Sequence, residues 1–348
     1  MSAGELLAAE IRRLGPIPFR HFMEVALYAP ETGYYRRGIR PDRGTSQRPG
    51  REPGADPFGK TGDFFTAEQI QPVFGILMAA RIRQLYREMG EPDDFTVVEL
   101  GAGRAEMAEA LGEWRYLPLE IDSGMLPERF RGVVFSNEFF DALPVDVAVW
   151  RAGAFREQCV ALDDAGAFVW REGGPAPAPV ADYLQRYFPV PEEGCWYEAN
   201  LEALDWLLRI GRALQGGFVL TIDYGYTRAE AVRFPAGTLM GYQKHTAREN
   251  VLEHPGERDI TAHVNFTALE EHGARCGLRT LRLETLAATL LKAGEEDQFA
   301  RALEAADAAD EFRRRMQLKT LLFGMGENFR VLLQRKEEEG GEKQGPEK

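Results

Sequence analysis

Four short groups of residues could do chemistry together. Glu99-Leu-Gly101-Ala-Gly103 follows a β-branched apolar run, Phe95-Thr-Val-Val, and Glu120 closes a second apolar run, Tyr116-Leu-Pro-Leu, twenty-one positions after Glu99. Asn137-Glu138-Phe-Phe-Asp141 follows a third such run, and Asp223-Tyr-Gly a fourth. A glycine turn between a buried strand and a helix brings backbone amides close to a ligand, and an acid about 20 residues further on accepts hydrogen bonds from ribose hydroxyls. A nicotinamide dinucleotide would require a third glycine where Glu106 stands, so a nicotinamide oxidoreductase is poorly served. An adenosyl ligand without phosphates fits better, and the positive sulfonium of S-adenosylmethionine suits a mouth lined by Glu99 and Glu120. Around Asn137, Glu138 and Asp141, an amide and carboxylates could orient a nitrogen nucleophile and favour loss of its proton, although Asn137 and Asp141 could equally cap a following helix. A last polar run, Pro255 to Phe266, alternates in a way that would aim Asp259, Thr261, His263 and Asn265 in one direction; a lone histidine such as His263 is more often structural.

These groups need a scaffold that collects the ends of several strands. Strands are expected at Thr96–Leu100, up to Glu120, at Gly132–Ser136 and at Phe218–Ile222, with helices at Ala105–Leu111 and Glu198–Leu214, the latter stopped by Gly216-Gly217. A helix is also expected within Ala67–Met89, starting near Gln71 because Pro72 cannot lie in its interior. Strand followed by helix, repeated, implies a parallel sheet whose ligand crevice lies beyond the carboxyl ends of the strands. Val145–Arg151, Phe155–Ala161 and Ala167–Arg171 read as a β-meander inserted into the fold or edging the sheet, and Gly173–Pro179 as a semi-rigid connection. Gly38–Lys60 has hardly an apolar residue and reads as a mobile loop, either a lid or an inert insertion. The linear organisation is an N-terminal helical region over residues 1–90, a core over 91–335 and a disordered tail over 336–348.

The 348 residues carry 42 lysines and arginines against 55 acids, a net charge of −13. That balance disfavours nucleic acid, which selects basic surfaces, and leaves basic polypeptide segments as the natural macromolecular partners. No apolar run approaches the length of a membrane span, and the first fifteen residues form an amphipathic pattern without a signal peptide's core, so a cytoplasmic address is expected. Cys159, Cys195 and Cys276 form no CxxC pair, and the five histidines no HExxH motif or Cys/His cluster, so neither a disulfide framework nor a metal is expected.

At these motifs the chain resembles the MidA family, bacterial relatives of the mitochondrial complex I assembly methyltransferase. TGDFFTAEQIQPVFG, ELGAGR, NEFFDALPV, IDYGY, GTLMGYQKH and PGERDITAHVNF match the family's blocks in the same order, from about Pro16 to Gln334. The resemblance implies a class I S-adenosylmethionine-dependent methyltransferase, a Rossmann-like α/β fold with a mostly parallel sheet, helices on both faces, the inserted meander and additional helical segments. It implies S-adenosylmethionine as cofactor and, through the mitochondrial relative, an accessible arginine of a partner protein as acceptor, respiratory complex I among the candidates. Gly62, Asp63, Thr66, Glu99, Gly101, Gly103, Glu120 and Asn137 would face the cofactor; Glu138, Asp141 and His263 would face the acceptor. Three positions depart from the family's pattern. Ala105 replaces a glycine, Asn265 replaces an acid, and residues 121–136 replace a longer stretch that includes a strand and helix near the adenine. The same fold serving as a non-catalytic assembly factor, or as a small-molecule methyltransferase, is the alternative expectation.

Overall fold

The computed structural model describes residues 1–36, 67, 70–120, 124–243, 246–248 and 250–338. The chain divides into two compact units, Met1–Thr66 with Phe140–Ala203 and Tyr226–Thr267, and Ala67–Phe139 with Leu204–Gly225 and Ala268–Lys348. Each unit is assembled from three separated stretches, so the linear division at residues 90 and 335 cuts across the packing.

The second unit is built on a sheet whose strands run, from one edge, Leu278–Thr285, Phe329–Lys336, Leu214–Tyr226, Phe130–Asn137, Phe95–Leu100 and Arg115–Leu119. The last four are mutually parallel, and Phe329–Lys336 is antiparallel to both its neighbours. Phe95–Leu100 is buried along its whole length, as a strand covered on both faces must be. Val331 and Leu333 join Val97, Val133, Phe135, Phe218 and Leu220 in a core with helices Val73–Glu88 and Leu286–Glu295. Gln334, of opposite parity, donates from its amide to the Leu269 carbonyl of helix Phe266–Arg275 on the other face. Helices therefore cover both faces, as expected. The sheet ends at Arg115–Leu119, a strand that contains Pro118; the stretch shortened in the sequence adds no strand beyond it among the described residues.

Several boundaries differ from expectation. Gly216 and Gly217 do not stop a helix; the helix spans Leu201–Ala213, and the glycines lie in the next strand. Gly217 has φ +134° and its register partner Gly132 +142°. A Cβ on Gly132 would sit 2.0 Å from the Thr96 carbonyl oxygen, and one on Gly217 1.9 Å from that of Gly132, so close strand approach requires both. Glu198 belongs to strand Trp196–Ala199, because Asn200 accepts from the Ala203 amide and starts the helix only after it. Gly173–Pro175 extend a strand and Pro177 precedes helix Ala178–Tyr187, which leaves no free connection there. Helix Val73–Glu88 begins directly after Pro72, and Lys336 completes the last strand instead of opening the tail.

In the first unit the meander forms its own antiparallel sheet, in the order Ile17–Pro18, Ala154–Leu162, Asp146–Arg151, Trp196–Ala199, with Phe168–Pro175 on Ala154–Leu162. Ala152 and Gly153, both at positive φ, make its two-residue hairpin, and the Asp163 carboxylate closes the next turn by accepting from Ala165 and Ala167. Helices Ala3–Leu14 and Phe19–Tyr28 pack on this sheet through Leu7, Phe19, Phe22 and Met23. A short sheet pairs Met240–Gln243 with Thr246–Arg248 and Asp259–Thr261.

Candidate active site

In the second unit the parallel strands end level with one another. Leu119 is in register with Leu100, Leu100 with Ser136, and Ser136 with Thr221. The groups that follow these residues therefore share one edge of the sheet, where ligands of open α/β folds bind. Glu99, fully buried, accepts from the Tyr116 hydroxyl of the neighbouring strand. Gly101 turns the chain at φ +66°, and a Cβ there would meet the Phe139 ring at 2.9 Å. Gly103 follows at φ +50°; its amide donates to the Glu120 carboxylate at 2.8 Å, and a methyl added at its Cα would have its nearest neighbour 3.8 Å away. Among the described residues, the backbone of the turn is thus open to a ligand at Gly103 and closed by Phe139 at Gly101.

The helix expected over Ala105–Leu111 is a succession of turns, closed by bonds such as Ala105 N to Ala102 O and Leu111 N to Met107 O. Ala105 stands at φ +59° where the family's glycine would be free to do so, and a left-handed residue at its first position prevents a regular helix from starting. Without a helix N-terminus facing the ligand, the turn offers individual amides and little dipole for a phosphate.

One strand over, Asn137 ends Phe130–Asn137, and Glu138 has φ +53°, a strained conformation for a non-glycine residue. The Glu138 amide donates to the Ile222 carbonyl, and its carboxylate accepts from the Asn137 side-chain amide at 3.0 Å and the Ala67 N–H at 3.4 Å. The Asn137 Oδ1 is buried without a hydrogen-bond partner among the described residues. Asn137 caps no helix, since the next regular segment is strand Asp146–Arg151. Buried Asp223 accepts from the Tyr224 amide at the end of the adjoining strand.

Asp141 and His263 lie in the first unit, where the Ala262 amide donates to the Asp141 carbonyl. Asp141 caps no helix either, for the same reason as Asn137. The run from Asp259 to Asn265 does not point one way. Buried Asp259 accepts from the Tyr35 hydroxyl at 2.8 Å, the Asn265 amide donates to the Tyr187 carbonyl, and the His263 ring meets Phe234 edge-on at 5.4 Å. His263 N donates to Thr238 Oγ1, and Thr238 N in turn to the Glu198 carboxylate. Burial lowers the His263 pKa, so its ring is neutral at pH 7. Burial, then Asp259, Tyr28 and Asp141, raise that of Tyr35. Tyr28 stacks on Tyr35 at 5.6 Å and donates to the Ala142 carbonyl. Tyr28, Tyr35 and Glu198 escape a reading of the sequence because none sits in a chemistry-bearing pattern; Phe139 sits inside the Asn137–Asp141 group, but only its contact at Gly101 shows its use. Gly62, Asp63, Thr66, His245 and the loop Gly38–Lys60 lie outside the described residues.

Four parallel strands, an antiparallel strand second from the far edge, and an acid–glycine turn followed by Glu120 define a class I S-adenosylmethionine-dependent methyltransferase. The sequence profile of a family described as S-adenosyl-L-methionine-dependent methyltransferases matches residues 110–283. A crystal structure from Burkholderia thailandensis, bound to S-adenosyl-homocysteine, superposes with a TM-score of 0.79 at 30% identity, covering 96% of this chain and 92% of that one. The chain belongs to this methyltransferase family, the MidA family. Among curated relatives, the mitochondrial protein arginine methyltransferase NDUFAF7 homolog of Drosophila melanogaster is 26% identical over 76% of this chain and 68% of its own length. Human NDUFAF7 is 25% identical over 76% and 67%. The cofactor is S-adenosylmethionine, and the residues present fit it: the Gly103 backbone is open, Glu120 lies against it, and the buried Asn137 Oδ1 can accept a hydrogen bond.

Proposed function

We propose that this methyltransferase modifies an arginine of a partner protein. The observation that carries the reading is Glu138, a carboxylate held in a strained backbone conformation at the end of a central parallel strand. Such strain persists where function requires a side chain in one place. S-adenosylmethionine, when bound, supplies a methyl group made electrophilic by the sulfonium. Gly103, Glu120 and Asn137 hold it against the turn that Glu99 and Gly101 shape, and by resemblance Gly62, Asp63 and Thr66 hold it too. Glu138 orients the acceptor nitrogen by hydrogen bonding and takes the proton it releases as the carbon–nitrogen bond forms. By the same resemblance Asp141 and neutral His263 serve the acceptor side. The names of the curated relatives, protein arginine methyltransferases, support an arginine over other nitrogen nucleophiles, and a respiratory complex I subunit is one acceptor to try.

The experiment is incubation of the purified protein with labelled S-adenosylmethionine and candidate protein acceptors, followed by mass spectrometry. Methylarginine formed by wild type and lost in Glu138→Gln, with S-adenosylhomocysteine binding retained, is the expected result. Label on another residue type, or only on small molecules, would refute the assignment.

A further inference from the structure

Both exposed phenylalanines among the described residues, Phe312 (68% exposed) and Phe323 (78%), lie on one continuous helical stretch with Met316 (44%). That stretch is helix Ala308–Lys319, which runs directly into the π-helical turn Thr320–Met325. At about 100° per residue, Phe312, Met316 and Lys319 fall on one face, and Phe323 continues the row. Asp310, Leu321 and Leu322 are buried on the opposite side, so the row points away from its own unit. Large apolar side chains in a row on a surface mark an interaction site.

The charges beside this row are ordered. Exposed Glu311 and Arg315 follow one another along a single flank, and that line drifts onto the edge of the row at Lys319, so the acid lies toward the start of the helix and the two bases toward its end. We infer that this face docks a second copy of the chain, two such helices lying antiparallel across a twofold axis. That arrangement sets Phe312 of one copy beside Met316 of the other. It also brings each flank against its own copy in reverse, so that Glu311 of each chain meets Arg315 and Lys319 of the other, the self-complementarity a twofold interface requires. A parallel pair would instead bring the opposite flank, Ala309, Arg313 and Thr320, against Arg315 and Lys319, and would leave those two bases without an acid. The net charge of −13 works against an anionic membrane as the occupant. The existing ion pair does not oppose docking: Arg315 with Glu311 is exposed within its own helix, and exposed pairs of this kind contribute little.

The test is sedimentation velocity on the full chain over a range of concentrations. Wild type forms a concentration-dependent dimer, and Phe312→Asp weakens it by about thirtyfold or more, as for a central apolar anchor, while S-adenosylhomocysteine binding is retained. Two further variants test the geometry. One is Glu311→Lys, which makes the flank wholly basic; the other combines Arg315→Glu with Lys319→Glu, which makes it wholly acidic. Each is monomeric alone, and the two dimerise when mixed, because only the mixture restores opposite charges across an antiparallel pair. A wild type that stays monomeric, a dimer untouched by Phe312→Asp, a mixture that does not associate, or a monomer that uses this face to bind anionic vesicles overturns the inference.

Discussion

Around the ends of the parallel strands, Gly101, Gly103, Ala105 and Glu138 all adopt positive φ, whereas no residue from Glu257 to Asn265 in the other unit does so. At the cofactor turn the chain itself is bent into shape, and side chains such as Phe139 and Glu120 only close it. Around Asp141 and Asp259 the backbone is ordinary, and buried tyrosine hydroxyls and amides fix the polar groups instead. Position is therefore set at the strand ends by which residues can accept a left-handed conformation, and around Asp141 and Asp259 by which side chains find a partner.

If that contrast holds, substitutions that leave chemistry alone but add a Cβ should be most damaging in the second unit. Gly132→Ala places a methyl 2.0 Å from a backbone oxygen at φ +142°, and a loss of more than about 4 kcal/mol, seen as failure to reach the native state in chemical denaturation, is expected. Glu120→Ala should separate binding from folding. It removes the acceptor for the Gly103 amide and, in the proposed cofactor site, for the ribose, so calorimetric titration with S-adenosylhomocysteine should show about a hundredfold weaker binding with little change in Tm.

In the first unit the sensitive change is loss of a partner. Tyr35→Phe removes the hydroxyl that donates to buried Asp259 and should cost about 1.5 kcal/mol of unfolding free energy, with S-adenosylhomocysteine affinity unchanged. Asp146, in the same unit, sharpens the point through pH. Burial raises its pKa from 3.8 to about 6, with Arg20 opposing and Glu157 adding. The protonated form is therefore favoured in the folded state, and the stability present below pH 3.8 is lost as pH rises through about 6. Asp146→Asn should accordingly stabilise by about 1 kcal/mol at about pH 7.5 and by nothing measurable at about pH 3.5, as read from parallel denaturation curves. The smallest effect belongs to Ala105→Gly, which relieves a left-handed alanine at φ +59° but loosens the unfolded chain; a gain of about 0.5 kcal/mol is expected, and a loss would show that Ala105 is not strained.

The strands that carry the site are legible because their apolar runs end abruptly in acids, amides and glycines: Phe95–Leu100, Phe130–Asn137 and the strand through Asp223 all lie within a few residues of where the pattern sets them. What is not legible depends on contacts between distant stretches. Gly216 and Gly217 look locally like a helix stop, and only the nearness of Gly132 reveals the use of Gly217. Ala105–Leu111 has helical spacing, and the left-handed start that defeats it is a property of the turn before it. Alternation from Asp259 to Asn265 predicts one shared direction, but Tyr35, Tyr187 and Phe234, remote in sequence, each hold a different member. The tyrosines stay hidden for the same reason: a buried hydroxyl acquires a role only through what the fold sets beside it.

The early end of the sheet at Arg115–Leu119 has a consequence for solubility. An outermost strand exposes a row of amides and carbonyls on which a strand from another molecule could grow, the first step toward aggregation. Pro118 contributes no N–H to such a row, and Arg115 at the strand's exposed start adds a charge that further pairing would bury. The chain thus carries, within this one edge strand, its own guard against unwanted growth of the sheet.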